Sequence, residues 1–346
     1  MKQAKADAQG EEKLLITGDA SLGFTAMKGQ KSTFEAGVAP RLLWKINDKL
    51  MFDAGLDIGF NSDGSTAVEL SIASATYAVC DYMVIGGGLF VAPFAAYHRD
   101  FDPPWITKLP DDPLVFGDAG LAPGSVLGAF ASGAFPIGPT KVNYAVYLSN
   151  GPQLLIGPDD AGSLSFDPMS DNNNNKAVGG RIGFLPIPEL EVGYSALYGQ
   201  ANTPGDPHAD ALLQAVDFNY TRASEKLGTF SVRAEWVWSQ VDEVTFGAGP
   251  GALRFNNYRN GGYVQVSYRP TQSDIKVLRN IEGVFRYDHL RGPAEAPVGG
   301  GSEDRYTVGL NYWLDARSVL KFAYEFDHLS GGAGSPGFMM QFGVGF

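Results

Sequence analysis

GFMMQFGVGF, residues 337–346, sets a large apolar side chain at every second position: Phe338, Met340, Phe342, Val344 and Phe346. Between them stand Met339, Gln341, Gly343 and Gly345. Strand side chains point alternately to opposite faces, so this segment has one oily face and one small or polar face. A single strand of this kind fits a soluble sheet as well as a membrane sheet, and repetition and length must decide between them.

The pattern recurs along the chain. FEAGVAPRLLWK (34–45) is apolar on one face and carries Glu35, Arg41 and Lys45 on the other. FDAGLDIGF (52–60) does the same with Asp53 and Asp57, and FSVRAEWVW (230–238) with Arg233 and Glu235. IEGVFRYD (281–288) aligns Glu282, Arg286 and Asp288, and LKFAYEFD (320–327) aligns Lys321, Glu325 and Asp327. Sixteen such segments can be marked, at about 13–25, 32–45, 49–61, 66–79, 83–96, 125–137, 140–150, 176–186, 189–200, 210–222, 228–241, 260–270, 279–290, 303–314, 318–329 and 337–346. A tilted membrane strand needs about 9–11 residues, whereas soluble strands average about 5–6. Short connections alternate with longer ones, at 97–124, 151–175, 201–209, 242–259, 291–302 and 330–336. Even strand number, short periplasmic turns and longer outer loops are the signature of a bacterial transmembrane antiparallel β-barrel.

Composition agrees. No apolar run approaches the roughly 18–20 residues of a transmembrane helix. The 44 glycines and 21 prolines would break long helices. A net charge of −12 and a pI near 4.8 exclude a nucleic-acid-binding footprint. With Cys80 the one cysteine, no intrachain disulfide can form. The histidines at 98, 208, 289 and 328 lack metal-ligand spacing, so neither a metal nor a cofactor is expected. No nucleophile–base set can be assembled, which speaks against an enzyme. Residues 1–12 are polar and read as a periplasmic extension ahead of a barrel spanning 13–346. They show no secretory signal, which on the barrel reading has been removed.

A closed sheet pairs every backbone group where the bilayer offers no water. Sixteen strands enclose water rather than a packed core. Charges therefore belong inside: Arg or Lys facing lipid at the midplane costs about 2–4 kcal/mol. The predicted lumen face carries Arg41, Lys45, Arg181, Arg233, Arg269, Arg286, Arg305 and Lys321. Against them stand Glu35, Asp53, Asp57, Glu69, Glu191, Asp217, Glu235, Glu282, Asp288, Glu325 and Asp327. Trp44, Tyr198, Tyr268 and Tyr312 fall near strand ends on the outer face, as an interfacial girdle requires. Gly86, Gly88, Ala92, Gly128, Ser132 and Ala134 share one register and read as a small outward patch suited to another subunit.

FDPPWITKLPDDPLVF (101–116), LAPGSVLGAF (121–130), KVNYAVYLSNGP (141–152), RYD (286–288) and VGLNYWLDARSVLKFAYEF (308–326) resemble the phosphate-selective porin (OprP/OprO-like) family. The resemblance runs from about residue 65 to the end. It implies a homotrimeric sixteen-stranded channel in outer-membrane lipid and lipopolysaccharide, carrying small solutes or ions. It also implies a third loop folded into the lumen. Here that is 97–124, stiffened by Pro103, Pro104, Pro110, Pro113 and Pro123. Its candidate constriction residues are Arg99, Asp100, Asp102, Trp105, Lys108, Asp111 and Asp112, and Asp118 adds another acid. Phe346 resembles the terminal aromatic by which barrel-assembly machinery recognises its clients.

No run of arginines forms a ladder for phosphate, and charged rings set ion preference in pores. The chain therefore reads as a passive diffusion porin with mixed or mildly cation-favouring character. The alternatives are a structural barrel within an envelope complex and an anion channel. Loop 151–175, with Asp159, Asp160, Asp171 and Asn172 to Asn175, reads as a solvated loop, with a Ca²⁺ site as its alternative.

Overall fold

The computed structural model describes residues 12–60, 64–117, 120–167, 169–247, 251–330, 332 and 334–346. Residues 1–11 of the expected extension and Asp118 lie outside the described residues.

Sixteen antiparallel strands close into one barrel. They are β1 (Lys13–Met27), β2 (Thr33–Lys45), β3 (Leu50–Phe60), β4 (Thr66–Cys80), β5 (Met83–Val91), β6 (Ser125–Ile137), β7 (Thr140–Ser149) and β8 (Ala177–Ile187). The second half is β9 (Leu190–Gln200), β10 (Asp210–Ser224), β11 (Gly228–Val241), β12 (Asn257–Arg269), β13 (Ile281–Gly292), β14 (Gly301–Trp313), β15 (Ser318–Leu329) and β16 (Gly337–Gly345). Each strand pairs with its chain neighbours, and β16 closes on β1 from Asp19↔Gly345 to Met27↔Gly337. The seam continues past the last strand: Thr17 Oγ1 donates to the Phe346 carbonyl at 2.6 Å, and Phe346 N–H donates to the Gly18 carbonyl at 2.9 Å.

The two faces separate as the alternation requires. On β8, Val178, Ile182 and Phe184 stand outward and exposed, while Arg181 between them points inward and is 4% exposed. An apolar surface of this extent suits lipid, not water. Trp44, Tyr198 and Tyr268 are exposed on the outer face near strand ends.

Two expectations need correction. The fifth strand ends at Val91, not near 96. Ala92 donates its N–H to Gly124, Ala95 takes a left-handed backbone (φ 57°), and the chain turns into the barrel. The apolar run Ala92–Tyr97 therefore belongs to a packed loop, where Ala92, Phe94 and Ala95 are fully buried. The expected outward patch also faces the other way. Phe130 pairs with Gly86 and tilts against the buried Phe90 ring, 4.6 Å between centroids, so Gly86, Gly128, Ser132 and Ala134 lie on the inner register. Gly88, at φ +120°, lies within this stretch, and β4 carries irregularities beside Gly55/Leu56 and Ala78/Cys80. Both registers of β6 carry small or apolar residues, so alternation there gives no contrast by which to assign a face.

The long-loop rim is not open all round. Gln153–Leu154 pairs with Leu164–Ser165, and Thr245–Phe246 with Leu253–Arg254. Leu154, Ala161, Val244, Phe246 and Phe255 join the buried cluster with Leu197, Ala211 and Val237 of the barrel wall. Part of loop 151–175 thus packs on the β9–β12 half through Leu154 and Ala161, while Asp159, Asp171, Asn174 and Asn175 stay exposed as expected.

Candidate functional site

The loop after β5, residues 92–124, crosses the lumen and docks on the β9–β16 wall. Glu235 Oε2 on β11 accepts the backbone N–H groups of Ala96 (2.8 Å) and Tyr97 (3.3 Å), and its Oε1 accepts the Tyr263 hydroxyl at 2.7 Å. Asp288 Oδ1 on β13 accepts the Leu114 N–H at 3.2 Å. Arg286 is the hub. Its Nε donates to Asp288 Oδ2 (2.7 Å), Nη1 to the Asp111 carbonyl (2.9 Å) and Nη2 to the Asp112 carbonyl (3.1 Å), while the Asp111 carboxylate pairs with Nη2. Lys321 on β15 donates to Thr107 Oγ1 (2.5 Å) and Gln341 Oε1 (2.7 Å). Lys108 reaches back to Glu282 at 2.7 Å, and Glu282 also accepts the Trp313 indole N–H.

Close backbone approach requires glycine at the foot of the loop. A Cβ on Gly343 would sit 2.4 Å from the Pro104 carbonyl oxygen, and one on Gly345 would strike the Trp105 ring. The glycines that alternate along the last strand therefore seat the loop.

The charges predicted to line the pore thus fall into two sets. Arg181, Arg233, Glu235, Arg286, Asp288, Lys321 and Glu325 lie on the inner face, but each is at most 9% exposed. Arg233 stacks over the Phe101 ring at 3.7 Å, and Arg181 is held by Asp217, Glu191 and Asn143. Arg305 pairs with Glu303 and Glu325 and lies 3.6 Å from Asp111. Lys45 pairs with Asp48 at the short-turn rim. These groups position the loop or one another.

The second set borders open space. A cavity of about 720 Å³ remains between the loop and the β1–β6 wall, and its lining includes Asp19, Arg41, Asp53, Asp57, Arg99 and Asp102. Arg41 is bound by Asp53, with Nε to Oδ1 at 2.8 Å. Arg99 pairs with Asp100 and lies 3.5 Å from Glu191. Asp19, Asp57 and Asp102 form no ion pair with Arg or Lys among the described residues. His98 lies 3.5 Å from Asp102. Burial pushes its imidazole down, but the Asp102 carboxylate and its acidic neighbours outweigh burial and hold it above the usual histidine value. Asp19 was missed in the sequence, although the register Thr17↔Arg41 puts it on the same face as Arg41.

At the long-loop rim, His208, Asp210 and Asp242 bring three ligand atoms within 4.8 Å of one another, a proximity that residue spacing does not show. In loop 151–175, Asp171 accepts the Asn173 N–H and pairs with Lys176.

A family model described as phosphate-selective porin O and P matches residues 142–330, more than half of the chain. No curated protein matches. Among solved structures, the outer membrane channel DcaP of Acinetobacter baumannii is similar at TM-score 0.64 and 12% identity, covering 97% of this chain and 98% of its own. Salmonella typhi OmpF in complex with daunomycin gives 0.63 and 12%, with 99% of each chain covered. The anion-selective porin from Comamonas acidovorans gives 0.58 and 11%, with 97% and 100% covered. At these identities the likeness speaks for the fold.

Proposed function

The chain belongs to the phosphate-selective porin O and P family, and on that footing we propose how its lumen sorts solutes. It is an outer-membrane porin, a passive channel narrowed by the loop that follows β5. The open path runs beside β1–β6, and it prefers small cations and uncharged solutes over phosphate.

One observation carries this reading. The buried basic side chains Arg181, Arg233, Arg286 and Lys321 are used in fixing the loop and the wall, while on the open cavity Asp19, Asp57 and Asp102 face Arg41 and Arg99, already paired with Asp53 and Asp100, together with His98 and Arg317 of the turn before β15. Charge facing the path, not net charge on the barrel, sets ion preference. The phosphate preference in the family's name therefore does not carry over.

Family membership supports a channel over an enzyme and a homotrimer over a monomer. Ala75, Gly87 and Ala129, on the register opposite the inward Gly86 and Phe130, form one row of small residues across the outside of β4–β6, flanked by Leu89 and Leu127 on one side and by Tyr77 and Ile85 on the other. That face suits close contact with a second subunit.

Reversal potentials in planar bilayers under a KCl gradient test the preference. The expected sign is that of K⁺ over Cl⁻. Asp19→Asn with Asp102→Asn should move the potential towards zero. A wild-type potential on the chloride side, or a current blocked by inorganic phosphate, would overturn the reading.

A further inference from the structure

Beneath the loops of the long-loop rim lies a second cavity, of about 500 Å³, separate from the open path. Its walls are the returning arm of the lumen loop (Gly120, Leu121, Ala122), loop 151–175 (Leu155 to Phe166), Ser239, Arg259 and Val298. Most of this lining is apolar. Three of its buried polar atoms lack partners: Arg259 Nη2, Asp160 Oδ1 and Ser163 Oγ.

Arg259 on β12 is 7% exposed and forms no ion pair among the described residues. Its Nε donates to Asn257 Oδ1 at 3.2 Å and its Nη1 to the Val298 carbonyl at 2.8 Å, while Nη2 is buried with no partner. The guanidinium is nonetheless firmly placed. Asn257, 1% exposed, donates to the Gly162 carbonyl at 2.7 Å and so fixes loop 151–175 and Arg259 together. Gly299, at φ +63°, lets the loop before β14 lie against Nη1, where a Cβ would come within 2.9 Å. Two more buried atoms on the same cavity lack partners, Asp160 Oδ1 and Ser163 Oγ.

A buried guanidinium without a counter-charge is costly, and an unsatisfied buried polar group calls for an occupant. An anion alone would answer Arg259 but not Asp160. The geometry points to a binding site for an amino-acid-like zwitterion: its carboxylate on Arg259, its ammonium on Asp160 and Ser163, and its apolar side chain among Leu121, Leu155, Leu164 and Phe166. A mostly apolar pocket with few convergent polar groups is the usual form of a small-molecule site. Inorganic phosphate fits less well, because it offers no donor cation to Asp160 and nothing to the apolar lining.

Calorimetric titration of the full chain, folded in detergent, tests this with four probes. They are L-leucine, 4-methylpentanoate (its carboxylate alone), isoamylamine (its ammonium alone) and inorganic phosphate. L-leucine should bind at least about tenfold more tightly than either single-charge analogue, a difference of the size expected for one charge-assisted contact. Asp160→Asn should weaken L-leucine about tenfold while leaving 4-methylpentanoate within about twofold. Arg259→Gln should abolish both. If Arg259→Gln does not fold, Asp160→Asn, a nearly isosteric change at an atom without a partner, still decides. The proposal is overturned if L-leucine gives no binding, if 4-methylpentanoate or phosphate binds as tightly, or if Asp160→Asn has no effect. Because binding is read without current, its failure leaves the ion preference standing, and the converse holds.

Discussion

Replacing Arg286 with Gln should release the lumen loop from its strongest anchor. The guanidinium, 1% exposed, joins β13 to the loop through the Asp111 carboxylate and the carbonyls of Asp111 and Asp112, and it neutralises Asp288, which is fully buried. The substitution leaves the buried Asp288 without its paired cation and Asp111 with only Arg305, 3.6 Å away. Removing one partner of such a pair costs about 3–5 kcal/mol, which shifts a docked–undocked equilibrium by roughly two to three and a half orders of magnitude. Lys321→Met supplies the comparison. That lysine is fully buried, but its partners are neutral: Thr107 Oγ1, the Leu109 carbonyl and Gln341 Oε1. Leaving neutral groups unsatisfied costs about 1–3 kcal/mol, so its effect should be smaller. Single-channel conductance in planar bilayers reads the outcome. Arg286→Gln should raise conductance and add slow fluctuations, and trypsin should then cut after Lys108 in the folded protein. Lys321→Met should do the same to a lesser degree. Unchanged conductance and protection in Arg286→Gln, or the reverse ranking, would refute the reasoning that charge pairing holds the loop.

Three further outcomes follow from single contacts. His98 sits above the usual histidine value because Asp102 outweighs burial. Its contribution to loop docking is full below the unfolded imidazole value of about 6.5 and is lost as pH rises through the higher folded value. Loss of that positive charge beside Asp102 should make the channel more cation-selective over the same interval, and His98→Gln should flatten the reversal-potential profile. Gly343→Val would drive a side chain into the Pro104 carbonyl, 2.4 Å from the Cβ position. It should widen the pore without unfolding the barrel, as judged by conductance and circular dichroism. If Phe346 is an assembly signal, Phe346→Ala should lower the yield of barrel in the outer membrane while refolding in detergent, held by the backbone bonds to Gly18, proceeds as before. Equal loss in both settings would make it a stability residue instead.

The barrel was legible because bilayer physics writes itself into every strand. Alternation gives the face, and length gives the span. Most strand boundaries differ from expectation by one to three residues. Where the reading failed, an apolar residue had a second reason to be apolar. Ala92 to Ala96 look like strand because they are small and oily, but they are so because they pack inside the lumen beside Glu235 and Ser195. The face of Gly128 and Ser132 was misassigned for a different reason: both registers of β6 are small or apolar, so alternation offers no contrast there.

Charge was harder to read than fold, and the reason is geometric. Sequence parity puts Arg286 and Asp57 on the same inner face and cannot distinguish them. Their difference lies in what crosses the lumen to meet them. Asp111 and Asp112, about 175 positions before Arg286, bind it and remove it from the path. Asp57 meets no cationic partner and borders the cavity. A family resemblance has the same blind spot, because it carries strands and loop position but not the pairing of each charge. Ion preference in such a barrel is a property of the charges left over after the loop has docked. It follows that substitutions at the loop's anchors should alter selectivity as well as conductance, since undocking Arg286 would return a positive charge to the water.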